Sequence, residues 1–135
     1  MSFLPFSISS QSPAVTLASY IFATIHVGFG VNAILRPTHA LTFFEFGPPA
    51  DKGARAMVDS LMAVYGARDI FMGFAIYAAA LLGSPRALGW ILISATGVAV
   101  ADGAVCYSHG KGHWGHWNHA PVFTAVGLVA LGLFD

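Results

Sequence analysis

The sequence predicts an all-α protein, an integral membrane four-helix bundle, and three observations carry that reading. Hydrophobic residues make up 56% of the chain and charged residues only 9%, against about 25% charged in typical soluble domains. Six acidic and six basic side chains are too few to cover the surface of a soluble 14.2 kDa protein. The apolar residues also gather into four runs, separated by segments that hold most of the charge. A length of 135 residues suits one domain, residues 1–135, and is short for two.

The first run spans residues 14–35 and carries no charge, with Ser12-Pro13 as a start and Arg36-Pro37 as a stop. The second spans 56–83 and ends in the turn "GSPR". The third spans 87–107. The fourth covers 118–134, with Asn118 as its cap and Pro121 in its first turn. About 20 residues cross a hydrocarbon core roughly 30 Å thick. The first three runs meet that length. The apolar part of the fourth, from Ala120 to Phe134, is short unless "HWGHWNH" extends it into the interface, where Trp114 and Trp117 suit the headgroup depth.

Between the first two runs, "LTFFEFGPP" reads as an interfacial amphipathic piece followed by a turn. The N-terminal "MSFLPFSISSQSP" has no lysine or arginine, and the apolar run after it is too long for a signal-peptide core, so it reads as a retained span. Arg36, Lys52, Arg55 and Lys111 lie in or beside the first and third loops. The positive-inside rule then places those loops in the cytosol and both termini on the opposite side. Zero net charge gives no reason to expect nucleic acid. The single cysteine, Cys106, excludes an intramolecular disulfide framework.

Against this apolar background "YGARDIFMG", residues 65–73, stands out, because Arg68 and Asp69 fall near the middle of a span. Counting about 1.5 Å per residue from the side of the first and third loops, Asp102 on the third run and His26 on the first lie in the same half of the membrane. The other half holds only hydroxyls such as Thr16, Ser19, Tyr20, Tyr77 and Ser94. That sorting predicts a polar cavity open to one face. Arg68, Asp69 and Asp102 facing lipid unpaired would cost roughly 8–10 kcal/mol together, at about 2.5–3.5 kcal/mol each. They are expected to turn inward, with Arg68 reaching Asp102 and forking between two carboxylates. Tyr65 shares that helical face. Gly66 and Gly73 thin the helix so that neighbours approach closely.

His26 and Asn32 read equally as polar links between helices and as site residues. Asp59, nearer the interface, reads as a solvated or capping group. His109, His113, His116 and His119 are spaced 4, 3 and 3, which invites a metal reading. Gly110, Gly112 and Gly115 interrupt any continuous helix there, and the chain has too few ligands for a membrane di-iron centre, so no metal or other cofactor is expected. His119, at the mouth of the fourth run, is expected to move a proton or orient substrate. Cys106 and the serines lack an activated nucleophile setting, and neither a phosphate-binding loop nor a dinucleotide fingerprint is present.

The stretch "YGARDIFMGFAIYAAALLGSPRALGWIL" with "ADGAVCYSHGKGHWGHWNHAP" resembles a family of small four-span fungal membrane proteins. The shared pattern falls on Gly66, Arg68, Asp69, Gly73, Arg86, Gly89, Asp102 and His119, within about residues 56–125. Some of its members resemble the polyketide epoxide hydrolases of the aurovertin and citreoviridin type. The resemblance implies a membrane enzyme, expected in the endoplasmic reticulum, that opens a lipophilic epoxide.

The residues suit that chemistry independently, because epoxide opening needs an acid for the leaving oxygen and a base for the nucleophile. Two carboxylates held by one arginine can divide those roles, with Asp69 expected as base and Asp102 as proton donor, provided Arg68 binds Asp69 more tightly. The reverse assignment stays open, because the two titrate as a coupled pair. Soluble limonene-type epoxide hydrolases use a similar Asp-Arg-Asp set with Asn and Tyr, a likeness of chemistry and not of fold. The expected catalytic set is Asp69, Asp102, Arg68, Tyr65 and His119, with Asn32, His26, Trp114 and Trp117 meeting the substrate. The expected partners are a lipophilic small molecule and the bilayer, and a homo-oligomer is compatible with the sequence. Two other readings stay open, an isomerase or cyclase of a terpenoid or polyketide, and a non-catalytic scaffold or carrier.

Overall fold

A computed structural model describes residues 9–135. The part of the lysine- and arginine-free N-terminal stretch formed by residues 1–8 lies outside the described residues. The described chain is helical throughout its regular structure. It runs as α1 (Pro13–Leu35), α2 (Pro37–Leu41), a 3-10 turn (Thr42–Phe44), α3 (Lys52–Leu82), α4 (Pro85–Ser108), α5 (Trp114–Trp117) and α6 (Ala120–Ala130).

Local chemistry sets most of these boundaries. Proline occupies the first turn of α1, α2, α4 and α6, where its missing N–H has no intrahelical partner to lose. The Asp51 carboxylate accepts the Ala54 N–H at 2.7 Å and caps α3, and the Ser84 hydroxyl accepts the Ala87 N–H to cap α4. At the end of α4, Gly110 adopts φ 64°. The Gly110 N–H bonds the Tyr107 carbonyl and the Lys111 N–H the Cys106 carbonyl. That pair of bonds is a Schellman stop, which favours glycine at the left-handed position.

Helices α1, α3 and α4, of 23, 31 and 24 residues, are each long and apolar enough to cross a membrane. The expected fourth segment, 118–134, is helical over a shorter stretch. α6 has 11 residues, about 16 Å at 1.5 Å per residue, and Gly132 at φ 84° lies in the turn that follows it. Asn118 is not its cap either. Asn118 and His119 both keep right-handed helical angles, so the short α5 leads into α6 with hardly a break. The apolar loop piece forms α2 and the 3-10 turn, and Glu45 at φ 58° ends it.

Two antiparallel helix pairs organise the bundle, and glycine decides how close each comes. A Cβ on Gly30 would lie 2.5 Å from the Gly66 carbonyl oxygen, and one on Gly66 the same distance from the Gly30 carbonyl. Gly73 meets the Ala23 carbonyl in the same way two turns along. α1 and α3 therefore touch backbone to backbone, as small residues allow in apolar surroundings. On α4, Gly89 faces the Gly127 carbonyl of α6, and Thr96 shares a hydrogen bond with Thr124.

One buried cluster, around Ile76, Leu92 and Phe123, fills the end near the α3–α4 turn. A second, Ala33, Ala40, Leu41 and Met62, lies under α2 with Phe44, Phe46 and Tyr65 against it. The outside is apolar as well. Leu17, Phe71, Phe74, Leu82 and Trp90 are all more than half exposed, a surface suited to lipid and far more apolar than water tolerates. The hydroxyls of Ser19 and Ser94 turn back onto carbonyls four residues earlier, which satisfies them without any partner helix, whereas that of Thr24 bonds the Tyr20 carbonyl and also Tyr77 on α3.

Candidate functional site

Arg68 sits midway along α3 and turns across to α4. Its Nη1 donates to Asp102 Oδ1 at 3.1 Å and its Nη2 to Asp102 Oδ2 at 2.9 Å. Its Nε and Nη2 donate to Asp69 Oδ1 at 3.2 and 3.1 Å. One planar guanidinium thus grips two carboxylates from neighbouring helices, a geometry that a lysine point charge cannot reproduce. Below it lies the Tyr65 ring, with its centroid 4.2 Å from the guanidinium carbon, close enough for a cation–π contact.

The expected contact between Arg68 and Asp102 is present, and Asp69 joins from the same helix. The Asp69 side chain is 7% exposed and that of Asp102 15%, whereas Arg68 keeps 35%. The carboxylates are therefore enclosed while the guanidinium edge stays reachable. Gly66 and Gly73 flank the pair on α3, so α1 seals the back of Asp69. The third carboxylate considered from sequence, Asp59, has no hydrogen bond or ion pair among the described residues.

Around this centre the remaining expected residues divide. His26 lies on α1, with its Nδ1 bound to the Phe22 carbonyl at 2.8 Å and its ring edge-on to Phe123. Trp117 packs over Gly103, directly beside Asp102, and donates from Nε1 to the Val100 carbonyl at 3.2 Å. Asn32 points elsewhere. Its Oδ1 pairs with His39 Nδ1 at 3.0 Å, which ties α1 to α2. Trp114 is 62% exposed and packs on His113 and Trp117. His119 is exposed and its Nδ1 meets the Gly115 carbonyl; no hydrogen bond among the described residues links it to the carboxylates.

The histidine that does approach the centre is His116. Its ring packs on Phe44 at 4.7 Å, Phe44 stands edge-on to Tyr65 at 5.2 Å, and Tyr65 underlies Arg68. His116 lies close enough to Asp102 and Arg68 to feel both charges. Burial pushes its pKa below the usual imidazole range, and Asp102 opposes that shift in part. Sequence spacing singled out His116 only as one of four histidines spaced 4, 3 and 3. Nothing local distinguishes it from His119, because the orientation of α5 is set by Trp117 seating on α4.

The four histidines do not converge. His109 stands edge-on to Phe46, and His113 packs against Tyr107 and Trp117. Among the described residues, no three His, Cys, Asp or Glu side chains gather as a metal site. Cys106 is fully buried with its sulfur 3.9 Å from the Phe44 carbonyl. An open, mainly apolar groove of about 700 Å³ runs between α4 and α6, lined by Thr96, Val100, Pro121, Thr124 and Leu128 with Trp117 at one end. At 100° per residue, its α4 residues face well away from Asp102, so the groove and the charged centre are separate features.

Residues 23–130 match the family described as Domain of unknown function (DUF4267). That span is most of the chain and contains every residue of the charged centre, so the chain belongs to that family. No curated protein and no solved structure matches it.

Proposed function

We propose that this protein is a membrane-embedded acid–base enzyme that opens a lipophilic epoxide, of polyketide or polyene type, to a diol or a cyclic ether. The single observation behind this reading is one arginine held between two enclosed carboxylates from adjacent helices, inside a molecule whose outer surface is apolar. One guanidinium can neutralise one carboxylate. The second is then free to carry a proton, and a pair sharing one proton supplies an acid and a base together.

The epoxide oxygen takes a proton from one carboxyl as its C–O bond breaks. The other carboxylate removes the proton of the attacking water or internal hydroxyl as the new C–O bond forms. The sequence reading, Asp69 as base and Asp102 as proton donor, requires Arg68 to bind Asp69 more tightly. Arg68 instead holds both oxygens of Asp102 and only Oδ1 of Asp69, so the roles are assigned in reverse, with Asp102 kept ionised as base and Asp69 carrying the proton. Arg68 fixes both carboxylates, and Tyr65 supports the guanidinium from below. Trp117 borders the centre over Gly103 and Asn32 holds the α1–α2 corner; His26 and Trp114 are assigned to substrate contact and His119 to moving a proton or orienting the substrate. The resemblance to a family of small fungal membrane proteins, some of whose members resemble polyketide epoxide hydrolases, favours the same reading, as does an apolar exterior from which a lipid-dissolved substrate can enter.

In this reading α1, α3 and α4 cross the membrane and α6, extended by α5 and the turn after it, completes a four-helix bundle in the endoplasmic reticulum membrane. The deciding experiment is turnover of a bis-epoxide polyene by the purified parent and by Asp69→Asn and Asp102→Asn variants in detergent. The reading expects the parent to open the epoxide and each variant to lose at least 100-fold in rate while keeping its helical circular-dichroism spectrum. Folded variants that turn over at the parent rate would remove the carboxylate mechanism. They would leave a scaffold or carrier role, in which the charges serve only helix packing.

A further inference from the structure

Three buried side-chain atoms have no hydrogen-bond partner among the described residues: Ser12 Oγ, Asn32 Nδ2 and His116 Nε2. Ser12 sits at the start of α1, away from the charged centre. Asn32 is partly satisfied, because its Oδ1 pairs with His39. His116 is different, since its orphaned nitrogen belongs to a ring within charge range of Asp102 and Arg68. A buried imidazole nitrogen left unpaired forfeits a hydrogen bond it made in water. An orphaned buried group in a folded protein calls for an explanation, and a bound molecule that is not part of the chain is one that a site beside charged groups supports.

The position of His116 is built. Trp117, its neighbour on α5, seats over Gly103 and donates to the Val100 carbonyl, which pins the helical turn to α4 one step from Asp102. Phe44 covers one face of the imidazole and leads through Tyr65 to Arg68. Asp102 from α4, Arg68 from α3 and His119 beyond α5 lie within charge range of the ring, and the Phe43 carbonyl of the loop approaches it as an acceptor without the geometry of a hydrogen bond to Nε2. None of them occupies Nε2.

We propose that His116 is a ligand-binding residue of this site, its Nε2 hydrogen-bonding a hydroxyl or water oxygen of the guest that lies beside the Asp102–Arg68 pair. The inference deepens the epoxide-opening reading and rests on it for the identity of the guest, a lipophilic molecule with vicinal oxygens. In that reaction the guest oxygen at Nε2 is the nucleophile or the newly formed hydroxyl, and His116 orients it toward the carboxylates. A lowered imidazole pKa keeps the ring neutral near pH 7, with one nitrogen able to accept.

The test uses the full chain in detergent micelles with histidine side chains labelled with ¹⁵N, titrated with dodecane-1,2-diol as a product-like probe. The signal missing from His116→Gln identifies the His116 nitrogens. The expected result is a saturable shift of the His116 Nε2 signal, with His109 and His113 moving much less. In His116→Phe, which keeps the ring packed on Phe44, diol affinity read by tryptophan fluorescence should fall at least fivefold. A diol that saturates elsewhere without moving His116, or that gives only an unsaturable drift, overturns the proposal.

Turnover of 1,2-epoxydodecane separates this proposal from the reading beneath it. A parent that binds the diol at His116 yet never opens the epoxide removes the catalytic reading and leaves the binding role standing. A parent that opens the epoxide, with His116→Phe equally fast and the His116 signal unmoved by diol, does the reverse.

Discussion

Arg68 and Asp102, 34 positions apart in sequence, face each other across the α3–α4 hairpin through two parallel hydrogen bonds of 3.1 and 2.9 Å. α3 and α4 are joined by the tight turn at Gly83-Ser84, and this ion pair ties them together again far from that turn. Asp69 completes the fork on the side of α1. The same three groups therefore lock the bundle and form its only ion-paired polar centre among the described residues.

Removing one partner of this fork leaves another charge in an apolar setting. Asp102→Asn and Arg68→Lys should each destabilise the protein in detergent. Breaking an enclosed pair costs up to about 3–5 kcal/mol, and the partial exposure of Arg68 reduces that to roughly 1–3 kcal/mol after screening. Thermal unfolding followed by circular dichroism measures the loss. A melting temperature within a degree of the parent for both variants would show that the fork contributes nothing.

The α1–α3 contact depends on missing side chains. Gly66→Val places a Cβ where the Gly30 carbonyl already lies, and overpacking of this kind costs about 1–3 kcal/mol or more. Gly97→Ala on α4 is the matched control, with nothing within 4 Å of the new methyl. It should hold or raise stability by up to about 1 kcal/mol, because alanine favours the helix over glycine. Equal effects from the two substitutions would contradict the close-contact account.

His116 predicts an acid-side loss of stability. Its folded pKa is depressed, chiefly by burial, so between its folded and unfolded values the unfolded chain binds more protons. Stability then rises with pH in that window. The contribution is present above the ordinary imidazole value of about 6.5 and is lost as pH falls through the folded value below it. His116→Gln should flatten this part of the pH–stability curve, and urea titrations at several pH values between 5 and 8 measure it.

Asp135 clasps the segment before α1, its carboxylate accepting hydrogen bonds from both the amide and the hydroxyl of Ser10. Those bonds hold its pKa below the usual carboxylate range. A depressed acid stabilises above its unfolded pKa and loses that effect as pH falls through the folded value. Hydrogen exchange at the Ser10 amide should therefore be slowed near neutral pH and lose that protection in acid. Asp135→Asn should leave the amide equally exposed at both pH values.

The proposed four-helix bundle, if it crosses four times, puts both termini on one side of the membrane, opposite Lys52, Arg55 and Lys111. Glycosylation tags fused in turn to each terminus should both be modified or both remain bare. Modification at one end alone means that α6 does not cross.

Much of this protein was legible in its sequence because a bilayer makes strong local demands. Charge is so costly there that the runs 14–35, 56–83 and 87–107 identify α1, α3 and α4 by composition, with Pro13, Asp51 and Pro85 near their starts. The same cost predicts that Arg68 must find Asp102, since no other carboxylate on a neighbouring helix lies deep enough.

Tertiary structure decided what depends on rotation and docking. Composition cannot register where α6 stops, because Leu131, Leu133 and Phe134 are as apolar in a turn as in a helix. Nor can spacing choose between His116 and His119, three positions apart. Which imidazole turns inward is fixed by Trp117 settling over Gly103, a contact between chain segments that approach only after α4 ends at Gly110 and the chain folds back. For Asn32 the sequence leaves a polar link between helices and a site role equally open, and His39 on the short α2 captures it as a link. Sequence determines depth in the membrane through the cost of burying charge, whereas azimuth around each helix is set by the neighbour it packs against.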